Sequence, residues 1–210
     1  MTVRLLLVRH GTTTAVRAAA FPLDEPLDAR GEAELRALAP ELPRDPDVRR
    51  SPSARCGASA ALLGHPDARV EAPLGEVGFG RWAGRTLAEV HGEDAEAAVA
   101  WMTDPAFAPP GGGESLEALV ARVGGWLDAL AADEPGRPVV ALTHGGVVRA
   151  AVVHALGAPA DAAWRIDVAP GSLTELHAHD GRWRLTRLNW TPDRATLRAA
   201  RGASGGGAAT

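Results

Sequence analysis

Two short runs constrain this chain more than anything else in it. "RLLLVRHGTT" (residues 4–13) and "PVVALTHGG" (138–146) each carry an unbroken apolar stretch into histidine followed at once by glycine. Continuous apolar content over residues 3–8, without polar alternation, predicts a strand buried on both faces, as in parallel sheets covered by helices. "RPVVALTH" predicts a second one. Glycine after each strand lets the backbone turn sharply and a ligand approach closely. If the two strands are neighbours, His10 and His144 meet at one sheet edge.

The segments between them alternate in kind. "DARGEAELRALAPEL" has helical spacing through Leu35, Leu38 and Leu42, and the prolines of "LPRDP" end it. "DVRRSP" reads as a short strand, "SARCGASAALLG" as a small-residue helix and "ARVEAP" as another strand. "TLAEVHGEDAEAAVAWMTDP" is predicted helical with a break at Gly92. "ESLEALVARVGGWLDALAADEP" sets Leu116, Leu119, Val123, Trp126, Leu127 and Leu130 on one face of a long helix. "GGVVRAAVVHALG" is a further helix, and "SLTELHAHDGRWRLTRLN" a hairpin turning at "HDG". Strands alternating with helices predict an α/β fold: a three-layer α/β/α sandwich on a mostly parallel central sheet, with an antiparallel element near the C-terminus. No composition shift marks a linker. A single domain is expected over residues 1–198, followed by a disordered Gly- and Ala-rich tail at 199–210.

Composition narrows the chemistry. All 22 basic residues are arginine. Without lysine there is no Schiff base and no Walker-type phosphate lysine, so arginine or histidine must bind any anion. A formal charge of −4 offers nothing to nucleic acid or to an anionic membrane. No run reaches the roughly 20 apolar residues of a membrane span, and a cytoplasmic location is expected. The lone Cys56 leaves no internal disulfide and no multi-cysteine metal site. His177 and His179 share one side of an exposed hairpin and are not expected to bind metal. The six tryptophans are read as packing rather than as a base-stacking platform.

Ligands of open α/β sheets bind beyond the carboxyl ends of the strands. There this chain gathers His10, His144, Arg9 and Arg55, with Gly11 and Gly145 opening the turns and the following helices aiming their N-termini at the same spot. Such a site suits a phosphoryl group, whose transfer rests on positioning and on countering charge at three equatorial oxygens. Histidine attacks phosphorus only with one ring nitrogen unprotonated, and neighbouring arginines favour that state. A leaving alkoxide needs a proton. Glu76, in the apolar loop "LGEVGFG", is the leading donor, and Glu114 in "GGGES" the competitor, with helix-start preference as its ordinary explanation. Phe21, Phe79 and Phe107 lie in loops suited to a leaving-group pocket, and Thr13 and Glu114 are further candidates to touch substrate.

These residues resemble the motifs of the histidine phosphatase superfamily, in its phosphoglycerate-mutase-like branch, through about residue 190. "LLLVRHGTT" is similar to the nucleophile motif, "LDARGEAEL" to "LTxxGxxQA", and "SPSARCGASA" to "SPxxRxxxTA". "LGEVGFGRWAG" is similar to "LxExxxGxWEG", "GGGESLEALVARV" to "GGESxxxxxxRV", and "ALTHGGVVRA" to the second-histidine motif. The resemblance implies a phosphohistidine at His10, phosphate held by Arg9, Arg55 and His144, acid catalysis by Glu76, and neither metal nor other cofactor. Val16 stands where relatives often have asparagine. The tyrosine and basic residues with which mutases grip a substrate carboxylate are missing after Glu76, and no paired arginines precede "GGES". These departures favour hydrolysis of a small phosphorylated molecule, with α-ribazole-5'-phosphate or sugar phosphates as candidates. The alternatives are a phosphoglycerate-type mutase and a non-catalytic regulator that binds a phosphorylated ligand. Neither nucleic acid nor membrane is expected as a partner, and a homodimer is compatible with the sequence.

Overall fold

The computed structural model describes residues 2–133, 135–193 and 196–197. The expected end of the domain at 198, and the tail 199–210, fall outside these residues. Six strands form one sheet: β1 (Thr2–Arg9), β2 (Asp47–Arg50), β3 (Arg69–Val70), β4 (Val139–Thr143), β5 (Leu173–His179) and β6 (Arg182–Trp190), in the order β3-β2-β4-β1-β5-β6. The first four in that order pair in parallel. β5 runs antiparallel to both β1 and β6, which is the antiparallel element read near the C-terminus. Its hairpin turns at Asp180 and Gly181, both at positive φ, the geometry that an Asp-Gly pair favours.

The helices are α1 (Thr14–Ala18), α2 (Ala29–Leu38), α3 (Ala54–Leu62), α4 (Leu87–Glu93), α5 (Ala95–Thr103), α6 (Leu116–Asp133) and α7 (Gly145–Leu156). β1 and β4 read as continuous apolar runs because both faces of the sheet are covered. Val3, Leu5, Leu7, Val139 and Ala141 pack with α6 and α7. Leu6, Val8, Val140 and Leu142 pack on the other side with residues of α2 and α3. Side chains alternate faces at each step along a strand, so one run supplies two cores. All six apolar positions predicted on one face of α6 are buried.

Two local expectations are corrected. The helical stretch 86–103 breaks at Asp94 rather than at Gly92. Asp94 ends α4 and caps α5, its carboxylate accepting from the Ala97 N–H at 2.9 Å, whereas a Cβ at Gly92 would meet open space. The helix that follows β1 has only five residues. It brings little dipole to the site, so of the two helix N-termini expected there only that of the longer α7 remains.

Register places the site. Val8 pairs with Leu142 and Arg9 with Thr143, while Arg50 pairs with Leu142 from the other side. The His10 N–H then bonds the Thr143 carbonyl at 2.9 Å and the Ser51 N–H the Leu142 carbonyl at 2.9 Å. Three adjacent strands therefore end level, delivering His10, Ser51 and His144 side by side. Among the described residues no helix is long and apolar enough to cross a membrane.

Candidate active site

His10 and His144 face each other with ring centroids 5.2 Å apart and planes inclined at 69°. Both are buried. Arg55, on the first turn of α3, bridges them: its Nε donates to His10 Nε2 at 3.2 Å and its Nη2 lies 3.1 Å from His144 Nδ1. His10 Nδ1 lies 2.8 Å from the Gly11 carbonyl, a pure acceptor. The proton must sit on Nδ1, which leaves the Nε2 lone pair facing inward. Burial, then the charge of Arg55, pulls the His10 pKa down to about 3, and the Gly11 bond only partly opposes this. His144 is shifted down too, by burial first and Arg55 second. Arg55 Nη2 can only donate, so His144 Nδ1 accepts and the ring proton sits on Nε2, which donates to the Ser51 hydroxyl at 2.8 Å.

These shifts carry a consequence for stability. A histidine that titrates near 6.5 when unfolded and near 3 when folded is protonated first in the unfolded chain. Stability is therefore retained above about pH 6.5 and lost as pH falls toward 3, by at most about 1.4 kcal/mol per pH unit for each such group. Glu76 acts in the opposite sense, because its raised pKa withdraws stability as pH rises. The expected result is that His10→Ala flattens the fall in stability between about pH 6.5 and 4 by close to 1.4 kcal/mol per unit, read from urea unfolding. Parallel curves for variant and wild type would contradict it.

The loop that follows β1 is held from behind by α2, the element carrying "LDARGEAEL". Gly11 and Gly31 touch so closely that a Cβ on Gly31 would stand 2.3 Å from the Thr12 carbonyl oxygen. The buried Glu34 accepts from the Thr12 N–H at 3.0 Å and from its hydroxyl at 2.8 Å, and Arg30 pairs with it at 2.8 Å. Gly31→Ala must force α2 away from residues 10–12. A loss of about 1–3 kcal/mol in stability is expected, together with a fall in kcat, checked by denaturation and steady-state kinetics.

Glu76 lies across from the histidines, its Oε2 3.9 Å from His144 Nδ1 and its side chain 18% exposed. Burial raises its pKa, and the Val77 N–H and the charges of Arg9, Arg55 and Arg149 only partly offset this. A Cβ on Gly146 would stand 2.5 Å from Glu76 Oε1, so the second glycine after His144 makes room for this carboxylate. Glu114 is differently placed: Arg122 Nε and Nη2 clamp its two oxygens at 2.8 and 2.7 Å. As a competitor for the acid role it starts inside a bidentate ion pair.

The other candidates separate into two clefts. The smaller, about 350 Å³, is lined by Asp24, Ser51, Ser53, Arg55 and His144, the larger, about 570 Å³, by Arg9, Gly145, Phe21 and Glu114, and Glu76 and Phe79 line both. Arg9 thus stands beside Arg55's bridge rather than in it. Its Nη1 donates to the Val168 carbonyl at 2.5 Å, its guanidinium lies against Gly145, and its buried Nε has no hydrogen-bond partner among the described residues. Thr13 is committed elsewhere, capping α1 through Val16 N–H and donating to Glu25 at 2.9 Å. Val16 itself sits on α1. Phe107 lines neither cleft and instead stacks on Trp82 from behind, with centroids 6.0 Å apart. Trp82, Trp126 and Trp183 are buried packing as expected, but Trp101 and Trp164 line the larger cleft.

Sequence reading missed Ser51, Glu34, Asp24 and Arg149. Asp24 is half exposed and accepts from Ala54 N–H at 2.8 Å and from Arg55 Nη1 at 3.3 Å, holding the arginine's far side. Arg149, one turn beyond His144, bonds the Ile166 carbonyl through Nε and lines the larger cleft. Cys56 is inert, its thiol buried and pushed up to about 12 by burial. Among the described residues no group of three or more His, Cys, Asp or Glu is gathered as a metal site.

The family model for the histidine phosphatase superfamily (branch 1) matches residues 5–191. The chain is 31% identical over 201 residues to an adenosylcobalamin/alpha-ribazole phosphatase of Salmonella typhimurium, covering 90% of this chain and 100% of that protein. It is 32% identical over 220 residues to a glucosyl-3-phosphoglycerate phosphatase of Mycobacterium tuberculosis, covering 89% and 94% respectively. Among solved structures, the alpha-ribazole phosphatase of Shigella flexneri superposes with a TM-score of 0.80 at 28% identity, covering 90% of this chain and 96% of that one. With a family model spanning nearly its whole length and relatives that are phosphatases, the chain belongs to the histidine phosphatase superfamily, consistent with a phosphoric monoester hydrolase.

Proposed function

We propose that the protein hydrolyses small-molecule phosphate monoesters through a phosphohistidine on His10, with no metal in any step. The observation that carries this reading is the arginine bridge: one guanidinium spans both histidines and donates to an imidazole nitrogen whose lone pair an incoming phosphorus can take in its place. The phosphoryl group enters between Arg55 and the rings, taking Arg55's N–H groups for its oxygens, and the unpartnered Arg9 Nε is a further donor beside it. His10 Nε2 attacks phosphorus and the ester P–O bond breaks. Glu76, whose protonated form burial favours, gives its proton to the departing oxygen. The imidazole keeps its Nδ1 proton, and the Gly11 carbonyl steadies the positive charge on the phosphorylated ring. Water then attacks phosphorus, Glu76 takes its proton, the N–P bond breaks, and phosphate leaves with His10 restored. His144 serves as a donor in both steps: once a phosphoryl group takes the Arg55 N–H away from Nδ1, the Ser51 hydroxyl can give its proton to Nε2 and Nδ1–H faces a phosphoryl oxygen.

The Salmonella relative makes α-ribazole-5'-phosphate a first candidate substrate, and the mycobacterial one draws in phosphorylated sugars. The test is phosphate release with EDTA present, from α-ribazole-5'-phosphate, glucosyl-3-phosphoglycerate, sugar phosphates, phosphoserine and 3-phosphoglycerate. EDTA-resistant release is expected. Isomerisation of phosphoglycerate without release would identify a mutase instead, and binding without turnover a phospho-ligand-binding regulator.

A further inference from the structure

The larger cleft is walled by rings, and nothing in the phosphoryl chemistry requires them. Phe21, Phe79, Trp101 and Trp164 come from four separate stretches of chain and converge on it. Trp101 sits at the centre, its ring centroid 5.2 Å from Phe21, 6.3 Å from Phe79 and 5.9 Å from Trp164. Buried Trp82 backs it at 6.2 Å, so the wall is fixed before any ligand arrives. At the mouth, Trp164 and Met102 remain 38% and 41% exposed, large apolar surface that the fold leaves uncovered. Leu116 and Leu119 add aliphatic lining, and Arg9, Glu76, Glu114 and Arg149 are the charged groups in the wall. Glu76 lies in the walls of both clefts, which puts the proton donor where an ester oxygen would leave the phosphoryl site for the larger cleft.

We propose that this cleft selects phosphomonoesters whose alcohol carries a flat aromatic body, and discriminates against polyhydroxylated alcohols of similar length. This rests on the phosphatase reading above. A volume of about 570 Å³ lies within the roughly 300–1,000 Å³ of pockets that enclose a whole small molecule. Aromatic rings gain most from edge-to-face and offset contacts with other rings. A sugar's hydroxyls would instead need several uncommitted donors and acceptors, whereas of the four charged groups here Glu114 is held by Arg122, Arg149 bonds the Ile166 carbonyl, and Arg9 and Glu76 serve the proposed phosphoryl chemistry. Phe79 lies in the segment after Glu76 where the mutase grip on a carboxylate is missing, so a segment that loses an anion site gains an aromatic one.

The experiment compares 2-phenylethyl phosphate with ribose 5-phosphate, two primary alkyl esters whose leaving groups have comparable basicity. The phenylethyl ester is expected to have the higher kcat/KM by about tenfold or more, as stacking on protein rings commonly gives. Trp101→Leu and Trp164→Leu, which keep apolar bulk, should lower the phenylethyl-to-ribose ratio by about tenfold, mostly through KM of the phenylethyl ester. Equal kcat/KM for the two esters, or a ratio unmoved in both variants, would overturn the proposal. If neither ester is hydrolysed, the phosphatase reading fails instead. The cleft is then read by titration calorimetry, where the phenylethyl ester must still bind about tenfold more tightly than ribose 5-phosphate. Equal binding would overturn the proposal there too.

Discussion

His10→Ala abolishes phosphate release from every monoester, with an expected loss in kcat on the order of 10³-fold or more while the protein stays folded. The magnitude follows from what the neighbours can and cannot do. His144 is the only other imidazole within reach, and its ring is centred 5.2 Å from that of His10. Its Nε2 is tied to Ser51, and its remaining nitrogen serves as a donor in the proposed cycle. Ser51 and Ser53 share one imidazole nitrogen, the Nε2 of His144, at 2.8 and 3.5 Å, so neither has a base apart from His144 among the described residues. Removing His10 also deprives Arg55 Nε of its partner, so phosphate binding should persist or tighten even as turnover vanishes. Inorganic phosphate or vanadate titration into the variant separates these effects. Retained binding without turnover is expected, and turnover within tenfold of wild type would sink the assignment of the nucleophile.

Glu76→Gln is expected to divide by leaving group. For alkyl esters, where the departing oxygen must be protonated, a loss of about 10²–10⁴-fold in kcat/KM is expected. For p-nitrophenyl phosphate, whose leaving group needs no proton, the first step should survive and the second should not, because glutamine cannot take a proton from water. Stopped-flow traces should therefore show a burst of up to one p-nitrophenolate per active site, followed by slow turnover. In the wild type, the raised pKa of Glu76 places its loss of activity on the alkaline side of the ordinary carboxylate range. That limb should disappear in the variant. Equal losses for both ester types, with no burst, would move the acid role elsewhere, and Glu114 clamped by Arg122 is the group to test next.

How much of this was legible in the sequence depended on how local the signal was. β1 and β4 declare themselves because burial on both faces forces every position to be apolar, and the two His-Gly endings then need only neighbouring registers to meet. Glu76 was readable as an acid in an apolar loop, although its fit against Gly146 was not. Other features depended on tertiary placement. Ser51 lies within a stretch read as the end of a strand, and only the pairing of Arg50 with Leu142 brings its hydroxyl to His144. Glu34 looks like a solvated helix residue until Gly11 and Gly31 touch and bring it to Thr12. The helical break passed from Gly92 to Asp94 because a capping side chain outweighed a flexible backbone. Trp101 and Trp164 gave no sequence signal of lining a cleft, since packing and ligand-facing tryptophans look alike until their neighbours are known.

The most direct test of the central claim is to trap the intermediate. Glu76→Gln protein is mixed with p-nitrophenyl phosphate, quenched in alkali, where phosphohistidine survives, and digested for mass spectrometry. The account predicts a single phosphoryl group on the peptide containing His10, absent when His10 is also replaced. Phosphate on His144, on a serine, or on no residue despite continued hydrolysis would contradict it.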